Sequence, residues 1–584
     1  MKKEVKKYKN IIIFCISIII LSLAKLNLTI DGNFFEKMRG NSLEFIFETI
    51  FLMIGIDKLI YIYEKRLSIF SSIVALILSI CQIAGYAIVN NVSLFSKILL
   101  LKFIGYWALF YIVIMLVYYF LNNITKKKFE ENWKLTDIKL FFIIWAAIFL
   151  SYIPYFLKYF PGIASTDSIY QMYQATGNMN LINSHPIFHT MIISGAMNLG
   201  KIIGSYNIGV GIYSIIQMLF MSAIFSYTVC YMKKKEIPKI AVICSIIFFA
   251  IFPVMPMYSI TMWKDIPFGV SILLYVISMV ELATNADQFL NTKRGILFLI
   301  VSALFTMFFK HNGFYIVLLS IPFVLFFIRE HIKKLLIIFV GLVIFYKLIN
   351  GPLLTALNVA PTLPSEALSI PIQQLSRVVA TEDIDDIELK EINEWIIADK
   401  TTIKEEYNPR LSDPMKKYFN NERFKDEKIE FLKLWFKYLK KYPNRYVQSF
   451  LFNTYGYWYP DTQYWMFQRN LEDEKLNLRR ESKLSIKLLD GIIEDRNIPV
   501  ISTLTSLGFA FWIIGIMMFY AIYKKEYKKI IIFIPVIILW LTSIASSVFC
   551  EYRYMFGAFT AMPIIVLSFF IKENYEIKEG TEKK

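Results

Sequence analysis

The sequence of 584 residues predicts an all-α polytopic membrane protein with about 14 transmembrane helices and a mostly α extracytoplasmic domain. Three observations carry that prediction. The chain is 56% hydrophobic and only 19% charged, with a mean hydropathy of +0.50, whereas soluble domains average about 45–50% apolar and about 25% charged residues. Apolar runs near the roughly 20 residues that cross a bilayer as helix recur along the chain. Lys and Arg fall in short clumps between those runs, which is the pattern of cytoplasmic membrane loops. The net charge of +17 is therefore a topology signal and not a nucleic-acid groove, which would gather its cations on one face. Cys15, Cys81, Cys230, Cys244 and Cys550 lie in or beside apolar segments without metal-ligand spacing, which excludes a disulfide scaffold.

Residues 1–135 read as a membrane module of four helices, with runs at 10–28, 44–62, 69–90 and 97–121. Its basic start followed by Ile11–Ala24 has the form of a signal sequence, but no small-x-small site follows, so an uncleaved anchor is expected. Residues 136–349 form the membrane core, with runs at 140–160, 208–231, 238–257, 266–284, 295–309, 312–328 and 334–349. The runs flanking Lys310–Gly313 fit either a broken helix or a hairpin. Residues 501–584 supply three more runs, 501–523, 530–549 and 555–571, and a tail.

With the N-terminus cytoplasmic, roughly 26 Lys/Arg fall on inside loops and roughly 6 on short outside ones. That count places both termini in the cytoplasm. It requires 161–206 to be one outer loop carrying an interfacial amphipathic helix, and Pro186, Asn198, Gly200, Lys201 and Gly204 make 187–206 a poor span. The same topology puts 350–500 outside. Its charges are dense and nearly balanced, and helical periodicity is clear at 387–398 and 424–439.

Charged residues are scarce on the outer side, so those present stand out. Asp167 is the only acidic residue between Asp137 and Glu236. Pro161 and Gly162 end one helix, and Ser165 or Thr166 can cap the next, so Asp167 falls in a first helical turn, where the helix dipole alone would also favour it. His185 and His189 follow four residues apart with Pro186 between them, a spacing that suits interfacial hydrogen bonding better than metal. Lys264 and Asp265 are adjacent, cannot face each other along a helix, and each requires a partner from elsewhere. Lys310 and His311 interrupt two apolar stretches, and ionisable groups at membrane depth are costly enough to suggest function. Glu551 and Arg553 lie between the last two runs. In the outer domain, Tyr455, Tyr457, Trp458, Tyr459, Tyr464 and Trp465 form an aromatic stretch suited to a sugar ring or to an ordinary core. Pro371–Arg377 and Tyr407–Pro414 could shape a lid. Inside loops carry no Gly-rich phosphate loop and no paired carboxylates, so chemistry is expected outside, with a donor carried by the membrane.

A lone Asp in the first large outer loop, amphipathic helices within that loop, many spans and an outer domain together resemble a C-type (GT-C) glycosyltransferase. The stretches Pro161-Gly162…Asp167-Ser168…Gln171, His185-Pro186, Lys264-Asp265, His311-Asn-Gly313, Tyr457-Trp-Tyr-Pro460 and Glu551-Tyr-Arg-Tyr554 also resemble an uncharacterised family of multi-pass membrane proteins of Gram-positive bacteria, over about residues 136–571. The resemblance implies a GT-C-like core and inverting transfer of a sugar from a polyprenyl-phosphate donor to a cell-envelope glycan, lipid or protein acceptor at the outer face of the cell membrane. Asp167 matches the general base of such enzymes. Many members carry a paired acid there, and Ser168 in its place disfavours a divalent metal; no cofactor is implied. Lys264, Arg553, Lys310 and His311 are the expected donor-phosphate ligands. His185, Asp265, Glu551, Gln171, Tyr457, Trp458 and Tyr459 are the expected acceptor and sugar contacts. A polymerase or ligase of lipid-linked polysaccharide, a flippase or transporter, and a non-catalytic assembly protein are the alternatives.

Overall fold

The computed structural model describes residues 2–27, 42–93, 96–126, 136–462, 467, 469–486, 505–546 and 548–572. Tyr464 and Trp465 of the aromatic stretch, residues 501–504 of an expected span and the tail from 573 lie outside the described residues. Among the described residues the chain is almost entirely helical, and its only strands are the short antiparallel pair Glu472–Asp473 and Leu478–Arg479.

Among the described residues eight helices are long and apolar enough to cross a membrane: Lys65–Val89, Lys97–Thr125, Asp137–Lys158, Tyr206–Lys234, Asp265–Asn291, Leu507–Lys524, Tyr527–Ala545 and Tyr552–Phe570. The remaining expected runs differ for identifiable reasons. Ser42–Ile62 is helical but carries Glu44, Glu48, Asp57 and Lys58. The 238–257 run breaks at Phe252, whose extended backbone (φ −58°, ψ 118°) is what the following Pro253 imposes. Lys293–Phe309, His311–Phe327 and Ile332–Leu348 have 17 residues each, about 25 Å of helix against a hydrocarbon core of roughly 30 Å.

Contacts divide the chain into two units. The first comprises residues 1–128, 455–462 and 506–527. It contains α1 (Lys2–Ala24), α2 (Ser42–Ile62), α3 (Lys65–Val89), α4 (Lys97–Thr125) and the helix Leu507–Lys524. Residues 455–462, expected in the outer domain, and 506–527, expected with the C-terminal helices, thus group with the N-terminal module. The reason is close packing. A Cβ on Gly85 would lie 2.2 Å from the Tyr459 ring, and one on Gly508 would lie 2.5 Å from the Tyr459 backbone. Trp512 Nε1 donates to Trp458 O at 2.9 Å, and Tyr118 Oη donates to Ile516 O at 2.8 Å.

The second unit comprises residues 129–454, 463–505 and 528–584. Its helices are α5 (Asp137–Lys158), α6 (Thr166–Ala175), α7 (Ile187–Ile203), α8 (Tyr206–Lys234), α9 (Lys239–Ile251), α10 (Val254–Ser259), α11 (Asp265–Asn291), α12 (Lys293–Phe309), α13 (His311–Phe327) and α14 (Ile332–Leu348), followed by the helices between 354 and 454 and the last two apolar ones. Helix α11 is apolar all round and buried all round, as that pattern demands. Phe142 and Leu150 on α5 and Ile337 on α14 point outward instead, which suits a lipid surrounding. The chain turns back at Lys310 as a hairpin. A Cβ on Gly313 would collide with Thr306 O, a residue that a continuous helix would hold about 10 Å away.

The 161–206 loop holds α6 and α7. Helix α7 buries His189 and Thr190 and exposes Met191, Leu199 and Ile202, so its outward face is the apolar one. It ends at Gly204, whose φ of +118° favours glycine. The loop is tied to the chain before α11 by a parallel bridge: Ile163 N donates to Ile260 O and Met262 N donates to Ile163 O, each at 2.9 Å.

Beyond α14, Ser369–Thr381, Asp386–Asn393, Lys400–Glu406, Lys428–Lys441 and Pro443–Thr454 enclose Ile372, Leu375, Trp395, Phe431, Tyr438 and Tyr446. The 387–398 periodicity stops short as helix at Asn393, because Trp395 O accepts from Asn420 N and Ile396 pairs with Phe419. The two lid-like stretches meet, Gln373 Nε2 donating to Asn408 O at 2.5 Å.

Candidate active site

The bridge at Ile163 sets where α6 begins. Ser165, extended at φ −106°, is the N-cap. Its N–H donates to Ser168 Oγ at 3.2 Å, Ser168 Oγ donates to Met262 O at 2.6 Å, and Trp263 Nε1 donates to Ser165 Oγ at 2.6 Å. The first turn of α6 is thereby fastened to the residues just before Lys264, and Asp167 sits on that turn.

Arg553, 386 residues away in sequence, reaches Asp167: its Nη1 lies 2.7 Å from Asp167 Oδ2. The same guanidinium pairs through Nε with Glu551 Oε1 at 2.9 Å, and Nη1 stands 3.9 Å from Asp265 Oδ2. Its centre lies 4.9 Å from the Trp263 ring and 5.4 Å from the Tyr554 ring. The adjacent Lys264 and Asp265 find separate partners. Lys264 Nζ donates to His185 Nδ1 at 2.6 Å, and Lys310 Nζ donates to the other oxygen of Asp265, Oδ1, at 2.5 Å. Lys310 also lies 3.8 Å above the Tyr554 ring.

The cluster holds three carboxylates, Asp167, Asp265 and Glu551, against three cations, Lys264, Lys310 and Arg553. Asp265 is fully buried, while the Asp167 side chain keeps 36% of its exposure, so the cluster opens at Asp167. Burial works to raise the Asp167 carboxyl, but the charges of Arg553 and Lys264 and the hydrogen bond from Arg553 hold it well below the usual carboxylate range. Burial, reinforced by the charge of Lys264, pushes His185 down to about 3, so it is a neutral acceptor for the lysine. Burial lowers Lys264 against the pull of Asp167 and Asp265, and it raises Glu551 against the pull of Arg553.

Other expected site residues occupy different positions. His311 Nε2 donates to Asn183 O at 2.7 Å, where Thr362 Oγ1 also donates at 2.8 Å, so that imidazole nitrogen fastens the loop at Asn183. Gln171 is buried on α6. Its Oε1 meets His189 Nδ1 at 3.0 Å, its Nε2 donates to Thr190 Oγ1 at 3.0 Å, and His189 Nε2 meets Tyr213 Oη at 2.7 Å. Gln217 extends this frame by donating to the carbonyls of Tyr258, Ser259 and Thr261. Tyr457, Trp458 and Tyr459 are buried in the first unit. Ser165, expected as a helix cap, also accepts from Trp263, which directly precedes Lys264-Asp265. Among the described residues no three His, Cys, Asp or Glu side chains are grouped to hold a metal ion.

The backbone of the helical part at 369–454 reaches the cluster's own segment, with Phe549 N donating to Arg410 O at 3.1 Å. The cluster is thus a carboxylate at an opening, backed by cations that a single anion could share.

No curated protein and no solved structure matches the chain. Residues 172–583 match a protein family; the match begins just after Asp167 and takes in His185, Lys264, Asp265, Lys310, His311, Glu551 and Arg553. On that coverage the chain belongs to a family of unknown function, DUF6020.

Proposed function

We propose that this protein is an inverting GT-C-type membrane glycosyltransferase that moves a sugar from a polyprenyl-phosphate donor to a cell-envelope acceptor at the outer face. In this reading the chain makes about fourteen passes with both termini cytoplasmic, and 350–500 lies outside. The observation that most supports it is the convergence of Asp167 with Arg553, Lys264, Asp265 and Lys310 from four separate stretches of chain. An acceptor hydroxyl oxygen attacks the anomeric carbon. As the new C–O bond forms, the bond from that carbon to the phosphate oxygen breaks, and its electron pair leaves with the lipid phosphate. Asp167 takes the hydroxyl proton, a contribution of about 10²–10⁴-fold for a well-placed base. Arg553 and Lys264 offset the charge that grows on the departing phosphate.

The test is transfer by purified protein and its Asp167→Asn variant, supplied with a panel of polyprenyl-phosphate sugars and envelope acceptors. The parent transfers sugar; the variant loses at least about 10²-fold while keeping its melting temperature. Transfer by the variant at the parent's rate sinks the assignment of the base. Donor bound by the parent but never transferred favours a flippase.

A further inference from the structure

We infer that Arg553 is a latch on Asp167: the guanidinium that holds the carboxylate is the group that the donor phosphate claims, so donor binding releases the base. The inference rests on the glycosyl-transfer reading and answers a difficulty within it. A carboxylate in a charge-assisted bond to Arg is stabilised as the anion and is a poor proton acceptor. Asp167 is in that state, with Arg553 Nη1 at 2.7 Å.

Arg553 is built to change partners. It has five donors in a planar fork, a shape that matches phosphate. Only one side of that fork is committed to Asp167. The Nε side stays with Glu551 at 2.9 Å, and the Trp263 and Tyr554 rings flank the guanidinium whether or not Asp167 is bound. Trp263 is itself fixed by its bond to Ser165 Oγ. A second acceptor waits nearby. Asp265 Oδ2 is buried and accepts no hydrogen bond among the described residues, and it lies 3.9 Å from the same Nη1. A shift of about 1 Å would bring that pair to hydrogen-bond distance. Asp265 is held by Lys310 through its other oxygen, so it does not follow the arginine. A phosphate arriving at the exposed edge, beside Asp167 and Lys264, can take the outer side of the fork while Glu551 and Asp265 keep the inner side. Asp167 is then left with an acceptor hydroxyl in place of a guanidinium, and its proton affinity rises only when the donor is present. An empty site therefore does not activate water.

Two measurements test the latch. The first is binding of farnesyl phosphate to the full-length protein in detergent at a fixed neutral pH. Because Asp167 competes with the phosphate for Arg553, Asp167→Asn is expected to bind about tenfold more tightly than the parent, and Arg553→Lys, which keeps the charge but loses the fork, more weakly. Unchanged or weaker binding by a folded Asp167→Asn overturns the latch, as does an absence of binding in both proteins. The second is the pH profile of transfer. The acid limb of kcat, which reports the donor-bound enzyme, is expected at higher pH than the limb of kcat/KM, which reports the free enzyme. Coincident limbs overturn the latch even if Asp167→Asn fails to fold. The two readings separate cleanly: tighter binding by Asp167→Asn without transfer by the parent upholds the latch and sinks the transferase, whereas transfer with unchanged affinity sinks only the latch.

Discussion

Lys102 in the first unit and Lys310 in the second are both lysines buried beside apolar helices, at 4% and 8% exposure. Their partners differ in kind. Lys102 Nζ donates to Ala24 O and Leu26 O, each at 2.8 Å, and lies 4.3 Å from the Tyr86 ring. Those carbonyls end α1, where the helix dipole favours a cation, and they are fixed in the backbone. Lys310 instead faces the carboxylate of Asp265, within a set of side chains that share partners. A cation on helix-end carbonyls does structural work, because no ligand can take its place without undoing the helix end. A cation held by carboxylates is neutralised by groups that an anion can rival. Lys529, which donates to Ser568 O and Ile571 O, belongs with Lys102.

The contrast is sharpest in a stability measurement at Lys310. Removing one partner of a buried ion pair leaves an uncompensated charge, at a cost of about 3–5 kcal/mol. Lys310→Met is expected to destabilise the protein by that much, read as a fall in melting temperature in detergent. Replacing both partners, as Lys310→Met with Asp265→Asn, is expected to recover most of it, since the stranded charge is gone. Equal losses in the single and double variants would show that the pair's geometry, not its charge, matters.

Lys102→Met is expected to cost less, about 1–3 kcal/mol, because it leaves neutral carbonyls without a donor. Farnesyl phosphate binding is expected to stay at the parental level in this variant. A loss of binding there would break the contrast, since a cation assigned to structure would then be contributing to the site.

This division was only partly legible in the sequence. The need for separate partners for Lys264 and Asp265 follows from helix geometry, and both partners, His185 and Lys310, stand out as polar groups beside apolar runs. The pairing of Asp167 with Arg553 is not readable, because 386 residues separate them and no local rule joins an outer-loop helix to the chain between the last two apolar helices. The surroundings of Gln171 are unreadable for a different reason. On a ten-residue helix either face can be polar, and only the tertiary partners His189 and Thr190 decide which is buried. Tyr457, Trp458 and Tyr459 show the limit of composition: aromatic residues among polar ones describe a core and a sugar platform equally well. Gly85 and Gly508, which let Tyr459 pack closely, are far away in sequence. The apolar runs themselves were the easiest feature to read, yet three of them stop at 17 residues, where length alone no longer defines a span.

The smallest expected effect is at His185, and it bears on whether the cations of the site are tuned by neutral or by charged neighbours. His185 is held down to about 3, so across pH 5–8 it carries no charge, and its Nδ1 accepts from Lys264. The sign follows: its charge, if it formed at all, would appear only in strong acid, and no limb near the free-histidine value of about 6.5 belongs to it. Gln can accept the same bond through its amide oxygen. His185→Gln is therefore expected to lower transfer by less than about threefold and to leave the profile between pH 5 and 8 unchanged in shape. His185→Leu removes the acceptor altogether and leaves the Lys264 ammonium short of a partner, so a loss of about tenfold is expected, or about 1.4 kcal/mol. A limb near pH 6.5 in the parent that vanishes in His185→Gln would mean that His185 titrates in the working site. The phosphate would then be facing one more cation than the empty site contains.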